Sequence, residues 1–522
     1  MSSYRKALAD QSGFTMITVI ITMSILGLFA VGAWGAANND LPVGRQDADR
    51  KRAYEAAEAG LQWYSYQLQR DTNYWTYCGD NSKTPAYVQL QGTRSSWRPV
   101  AGADADVDTT TAKNQTAEFA IEQLPTTTTT TAACLADPSS KLLSNGVLRV
   151  RSTGRFNGKL RQVVGTFRRS GFLDYVWYTK WETQSPQVYD DSDISWASTN
   201  CGKGRKTRSS SCQDLQFPDR DAINGPMHTE DDSLLVCDSP DFGRDAGDKI
   251  EILGATTKAN ASVASGGCGN NPNWNGTVQL PAKSVDLPES NTALASVADR
   301  TYSGTTCLQF NSGDTMSVYT NVTCAGSPSS TVTLTGDTTI WVANKAACSG
   351  YDVAQQYNNS SNCGDVGVKG TYSKNITIGA ADDIVVVGNL THTGDGLMGL
   401  VANQFVRVYH PVNWSNGNCT TNALGSSAWV NNIDAAILAT TGSFLADNAK
   451  CGAALGTLTI KGAIAQKWRG IIGQTSSNGT VNGYIKSYNY DDRLRYREPP
   501  NFLDPVTVTW NLLRQSEQAP VG

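Results

Sequence analysis

The chain has 522 residues, a formal net charge of −4, and only 17% charged residues. That length is too great for one small core, so two or three domains are expected, and so weak a negative balance excludes a general attraction to nucleic acid. With 48 Gly, 20 Tyr and 13 Trp beside abundant Asn, Ser and Thr, the composition suits a β-rich exported protein with many turns.

Residues 1–13 form a short leader containing Arg5 and Lys6, charges that hold such a leader on the cytoplasmic side. From Phe14 to Ala37 the chain carries no charge; as a helix this run would be roughly 36 Å long, enough to cross a bilayer. Three export routes compete. A secretory signal would be cut near Gly35-Ala36-Ala37, but its apolar region should be shorter than this one. An uncut anchor would keep Met1. Cleavage between Gly13 and Phe14 would leave the apolar helix as the mature N-terminus.

The order of a short basic peptide, Gly13, then Phe14-Thr15-Met16-Ile17-Thr18-Val19 resembles the type IV prepilin leader, which usually reads Phe-Thr-Leu-Ile-Glu-Val after its glycine. The resemblance implies a prepilin peptidase that cuts after Gly13 and methylates the amine of Phe14. It also implies filament packing through Phe14, Thr15, Thr18 and Val19. The family's fifth mature residue is usually Glu, and here it is Thr18. A carboxylate buried among apolar helices needs a partner, which in pilins is the amine of a subunit already in the filament. A subunit added first has no predecessor, so Thr18 points to a minor, tip-type pilin or pseudopilin. Loss of the carboxylate in a protein that is only tethered is the alternative.

After the 14–37 span, Asn38–Gly44 should break the helix, because Pro42 removes a donor. An amphipathic continuation occupies 38–71, helical from about Asp47 to Arg70. There Ala53, Ala56, Ala57, Gly60, Leu61, Tyr64 and Leu68 form one apolar stripe. Its small residues would let a sheet pack closely. The phrase Ala57-Glu58-Ala59-Gly60 resembles the "AEAG" signature of PilX-like minor pilins.

Residues 72–185 read as a pilin-like β region. It holds turns near Ala101–Asp108 and a Thr run, Thr126–Thr131, that cannot bury enough surface to order itself. Alternation over 147–169 around Asn157-Gly158 signals a two-residue hairpin, the sheet expected to receive the helix. The aromatic strand Phe172–Glu182 is expected in a core at a domain junction, with a sugar-stacking surface as its rival.

Residues 186–480 form a second β domain. Short β runs between Leu234 and Gln474, punctuated by Gly and Asn, suggest a right-handed β-solenoid; a β-sandwich with long insertions is the competitor. The N-terminal helix–hairpin unit could cap one end of a solenoid, and residues 481–522 read as a capping tail. The fold class is thus mainly β with one long N-terminal helix.

The 12 cysteines are Cys78, Cys134, Cys201, Cys212, Cys237, Cys268, Cys307, Cys324, Cys348, Cys363, Cys419 and Cys451. None forms a C-x-x-C pair, and they are absent from the apolar run, as disulfides of an oxidising compartment would be. Nearest-neighbour pairing closes the shortest loops at least entropic cost. His228, beside Glu230, Asp231 and Asp232, invites a metal or catalytic reading, yet His228, His392 and His410 do not pair at zinc spacing. The turn before His228 favours a structural role. The clusters Asp190-Asp191-Ser192-Asp193, Asp231-Asp232 and Asp382-Asp383 read as surface turns, and no nucleophile elbow, phosphate loop or metalloprotease motif appears.

The expectation is therefore a non-enzymatic minor pilin or pseudopilin with no cofactor and no metal. It would be held in the cytoplasmic membrane by its helix until it enters an extracellular filament at the cell surface. It would prime or cap assembly and display its β body for adhesion or partner contact. Its partners would be other pilins, the pilus or type II-like assembly platform, the prepilin peptidase and the membrane, without nucleic acid. The rivals are a membrane-tethered adhesin or carbohydrate-binding solenoid independent of pili, and a solenoid hydrolase or lyase.

Overall fold

The structure, a computed structural model, describes residues 14–71, 74–77, 85–90, 96–100, 116–125, 134, 147–169, 171–189, 192–348, 360–416, 418–476, 479–495, 497–504 and 510–519. Gly13 and the leader before it, Cys78, the turns at 101–108, Thr126–Thr131 and Asp190-Asp191 lie outside the described residues. The protein divides into two compact units, one of residues 1–142, 148–167 and 512–522, the other of 143–147 and 168–511.

The first unit is built on α1 (Phe14–Arg70). Where the sequence suggests a break at Asn38–Gly44, the helix continues. A proline forfeits one amide donor, and the turns on either side carry the helix across it. The second half of α1 buries the expected stripe: Ala53, Ala56, Ala57, Leu61, Tyr64 and Leu68 are almost wholly covered.

They pack on a sheet made of β1 (Val88–Leu90), β2 (Arg98–Pro99), β3 (Glu118–Gln123), β4 (Leu148–Phe156) and β5 (Lys159–Arg169). Its order is β1-β3-β4-β5, followed by the strand Trp510–Gln518, with β2 also on β3. Asn157 and Gly158 take φ of 44° and 73° between β4 and β5, the two left-handed residues that the hairpin requires. Small residues set how closely helix and sheet approach. A Cβ added to Gly154 on β4 would run into the Ala53 carbonyl oxygen and the Ala57 amide nitrogen of α1.

The second unit consists mainly of parallel ladders. One starts at β6 (Trp177–Gln184) and continues through Met227–Thr229, Lys249–Ile252 and Thr277–Gln279. Another runs from Arg300–Ser303 through Thr338–Ala343, Ile376–Ala380, Met398–Ala402 and Asn432–Ala439 to Ala454–Arg469. The two meet, because Ala454–Arg469 pairs in parallel with β6. A flanking ladder behaves alike: Gly479–Tyr490 lies between Ala454–Arg469 and Ala222–Asn224. The chain thus lays down its first strands in the middle of the stack, and its last strands return to join them. Residues from 481, which sequence suggests as a cap, begin instead inside a central strand.

Register aligns one apolar column across these ladders. Ile340, Ile378, Leu400, Ile437, Ile464, Trp177, Met227, Ile250 and Val278 are successive partners. All but Val278 are buried in a single core. Runs such as Ile376–Ala380 and Met398–Ala402 are buried at every position, as parallel strands covered on both faces should be. Antiparallel excursions such as Thr306–Asn311 with Thr315–Tyr319 leave this pattern locally. The aromatic strand is core: Phe172, Trp177 and Tyr178 are buried, with Trp177 stacked on Tyr488 at 5.7 Å. Five disulfides staple this unit, each between nearest neighbours: Cys201–Cys212, Cys237–Cys268, Cys307–Cys324, Cys348–Cys363 and Cys419–Cys451.

Candidate functional site

Among the described residues, the side chains of the first half of α1 have no cover within the chain. Met16, Ile17, Val19, Ile20, Ile21, Met23, Ile25, Leu26, Leu28, Phe29, Val31 and Trp34 are all between 47% and 74% exposed. Their positions run around the whole helix rather than along one stripe. Polar side chains in the run bond inward: the Thr22 hydroxyl donates to the Thr18 carbonyl at 2.8 Å and the Ser24 hydroxyl to that of Ile20 at 2.8 Å. Thr18 itself is exposed, where a pilin would carry its carboxylate. The side chains of Phe14 and Thr15 lie outside the described residues. Among those described, no helix is long and apolar enough to cross a membrane; within the apolar run they cover Met16 to Gly32 and Trp34.

A helix that is apolar all round is stable only when enclosed by protein or lipid. The surface left open here is thus a surface for something outside this chain. Charge is absent from it, so neither ion pairing nor acid–base chemistry can take place there.

The titratable clusters that sequence singles out are buried and already engaged. The His228 ring sits between Glu230, 2.9 Å from Nε2, and Glu251, 3.0 Å from Nδ1, an arrangement that favours the imidazolium, whose two N–H groups each donate to a carboxylate. Burial, the largest single effect, pulls its pKa down; the hydrogen bonds and negative charges of the two carboxylates together outweigh it and the net shift is upward. Glu230 also accepts from the Ser284 hydroxyl at 2.7 Å and the Val285 amide at 2.6 Å, and Glu251 from the Tyr175 hydroxyl at 2.8 Å. Tyr178 stacks flat on the imidazole at 5.3 Å. Every polar atom of the His228 ring is spent on structure.

Asp231 and Asp382-Asp383, expected in surface turns, are almost completely buried. Asp231 accepts from the amides of Glu182, Arg205 and Asp232 at 2.7–2.9 Å and pairs with Arg208. Arg407 bridges Asp383 and Asp447, at 2.9 Å from each. Burial, reinforced by the neighbouring Asp365 charge, raises the Asp382 carboxyl to about 7. These aspartates tie strand to strand at inner corners of the ladders. Asp193, by contrast, is exposed at the start of the short helix Ile194–Asn200.

Two groups bring Cys and Asp ligand atoms together: Cys237, Asp238 and Cys268, and Cys348, Cys363 and Asp382. Their sulfurs form disulfides, which leaves no thiolate for a metal. His392 bonds Asp434 at 2.8 Å, and His410 bonds the Asp447 carbonyl and Asn422.

No family model matches the sequence, and no curated protein does. Among solved structures the chain is similar to the competence-associated pilin ComZ from Thermus thermophilus, at 13% identity, over 90% of this chain and 97% of that one, with a TM-score of 0.31. At that score the likeness does not establish a common fold.

Proposed function

We propose that this chain is a type IV pilin-like minor subunit, of the tip type, that inserts by the first half of α1 and carries a large β body outside the cell. The observation that carries the reading is the apolar surface from Met16 to Trp34, open on every side of a helix whose second half is packed on its own sheet. Such a rod is covered first by lipid and then by the rods of neighbouring subunits. Thr18 in place of the usual carboxylate suits a subunit with no predecessor, one that primes or caps assembly. Disulfide bonds between nearest neighbours agree with a body displayed outside the cell.

The second unit reads as a β-solenoid rather than a sandwich. Its parallel ladders and aligned apolar column support that reading, since the sheets of a sandwich pair antiparallel. The reading is also non-enzymatic: of the described carboxylates that could serve a glycoside hydrolase, Asp231, Asp382 and Asp383 are buried at ladder corners. N-terminal sequencing of the mature protein tests the proposal. A first residue of Phe14, methylated, is expected; a chain still beginning at Met1 would mean a tethered surface protein, and one beginning near Asn38 a secreted one.

A further inference from the structure

One of the disulfides in the second unit lies against a buried acid. Cys348 Sγ is 3.0 Å from Asp382 Oδ2, and Cys363 Sγ is within 4.8 Å of a carboxyl oxygen of the same residue. The bond joins the residues after Thr338–Ala343 to the turn before Val366–Tyr372, and Asp382 sits in the turn before Ile384–His392. Cys363 is wholly covered, whereas Cys348 is half-buried.

A disulfide sulfur carries no hydrogen, so the 3.0 Å contact is a hydrogen bond only when the carboxyl oxygen brings the proton. Asp382 has reason to keep one. It is 2% exposed and hydrogen-bonded to a second buried carboxyl, Asp365, a bond that itself needs a proton between the two. Two carboxylates side by side out of water cannot both be ionised. The other charged groups facing this turn are Asp383 and Arg407, and Arg407 is divided between Asp383 and Asp447. Burial first, then the Asp365 charge, holds the Asp382 carboxyl up at about 7.

An acid in that place has a chemical use. A sulfur that must depart as a bare thiolate in apolar surroundings is a poor leaving group, and a group that returns a proton to it makes exchange easier. We propose that Cys348–Cys363 is an exchangeable disulfide, opened by a dithiol that attacks Cys348, with Asp382 as the acid that protonates the departing Cys363 sulfur. A thiolate of the dithiol bonds to Cys348 Sγ; the Cys348–Cys363 bond breaks, its electron pair goes to Cys363 Sγ, and the Asp382 proton follows. The second thiol then gives its proton to the Asp382 carboxylate and attacks the mixed disulfide, and Cys348 leaves and takes a proton from solvent. The protein disulfide gains two electrons, and the dithiol is oxidised to its own disulfide. One covalent loop, of sequence separation 15, is thereby opened in the β body.

The test uses the full chain in detergent micelles, with dithiothreitol as the dithiol. Reaction is stopped by alkylation, and labelled Cys348 and Cys363 peptides are quantified by mass spectrometry between pH 6 and 8. Each rate is divided by the concentration of dithiothreitol thiolate, which removes the pH dependence of the attacker. Cys237–Cys268, where the neighbouring acid Asp238 is exposed, is the internal control. A proton lost at about pH 7 is about 90% present at pH 6 and about 10% at pH 8, so the corrected rate for Cys348–Cys363 should fall roughly tenfold across that span while the control stays level. Asp382→Asn has no acid to titrate and should abolish the fall. A corrected Cys348–Cys363 rate that is level in the parent, or that only follows the control, overturns the proposal whether or not Asp382→Asn folds. An Asp382→Asn protein that keeps the fall overturns it too, as does a bond that dithiothreitol cannot open in the folded chain.

Discussion

Along α1, Met16 to Trp34 and Ala53 to Leu68 are turns of one continuous helix, yet they meet the cost of apolar surface differently. The later stretch confines its apolar residues to one stripe, keeps them small where the sheet comes closest, and buries them within its own unit. The earlier stretch is apolar on every side and buries almost nothing. Folding of the unit rests on the later stretch, whereas the proposed assembly would use the earlier one. A residue's type says little about which it serves; the period of its neighbours says nearly everything.

Paired substitutions can break this contrast. Gly154→Val forces a branched side chain against the Ala53 carbonyl and the Ala57 amide and should cost about 3 kcal/mol or more. The same change at Gly27, which has nothing within 4 Å of an added Cβ, should leave unfolding unchanged. Urea denaturation of both variants in micelles gives the comparison. Equal losses at the two positions would mean that the early stretch is packed within the chain after all.

A cavity-forming pair comes next. Leu61 is 1% exposed and Leu26 is 67% exposed. Leu61→Ala should cost about 2–4 kcal/mol, and Leu26→Ala under about 0.5 kcal/mol. Co-purification with filaments should reverse the order, with Leu26→Ala the more damaging once stability is matched by lowering the temperature.

The same contrast explains what the sequence made legible. Helical periodicity is local, so all seven stripe positions from Ala53 to Leu68 could be named beforehand. The Asn157-Gly158 turn is local too, and nearest-neighbour disulfides needed only the rule that short loops close cheaply. Pairing of Ile464 with Trp177 is not local. Each strand shows its apolar residues, but nothing in a strand encodes which distant strand it will lie beside, and the return of the last strands to the first was invisible. Nor could Asp231 be told from a surface aspartate. An Asp bonding nearby amides has the same Gly- and Ser-rich context whether its turn faces water or an inner corner. The aromatic strand whose rival reading was a sugar-stacking surface, Phe172–Glu182, contributes its rings mainly to the core.

Charge gives the smallest test, and it reads only the folded body, because the early stretch of α1 has none. His228 is held as an imidazolium by Glu230 and Glu251, with Tyr175 and Tyr178 packed on its ring. Its folded pKa is raised, so the stability it supplies is complete below the unfolded value of about 6.5 and is lost as pH rises through the higher folded value. For Glu230 and Glu251, burial would raise the pKa, but hydrogen bonds led by His228 lower it. Their share is present above the unfolded value of about 4.3 and is lost as pH falls through the lower folded value. The contribution of this cluster should therefore be greatest between roughly pH 4.5 and 6.5, and its loss should lower the melting temperature by a few degrees towards pH 9, about the shift that 1 kcal/mol makes in a domain this large. His228→Gln keeps a neutral side chain between the two carboxylates, so it should lower the melting temperature at pH 6 and flatten the alkaline decline. A His228→Gln protein that loses stability towards pH 9 as steeply as the parent would show that the imidazolium is not what the neighbouring strands are held by.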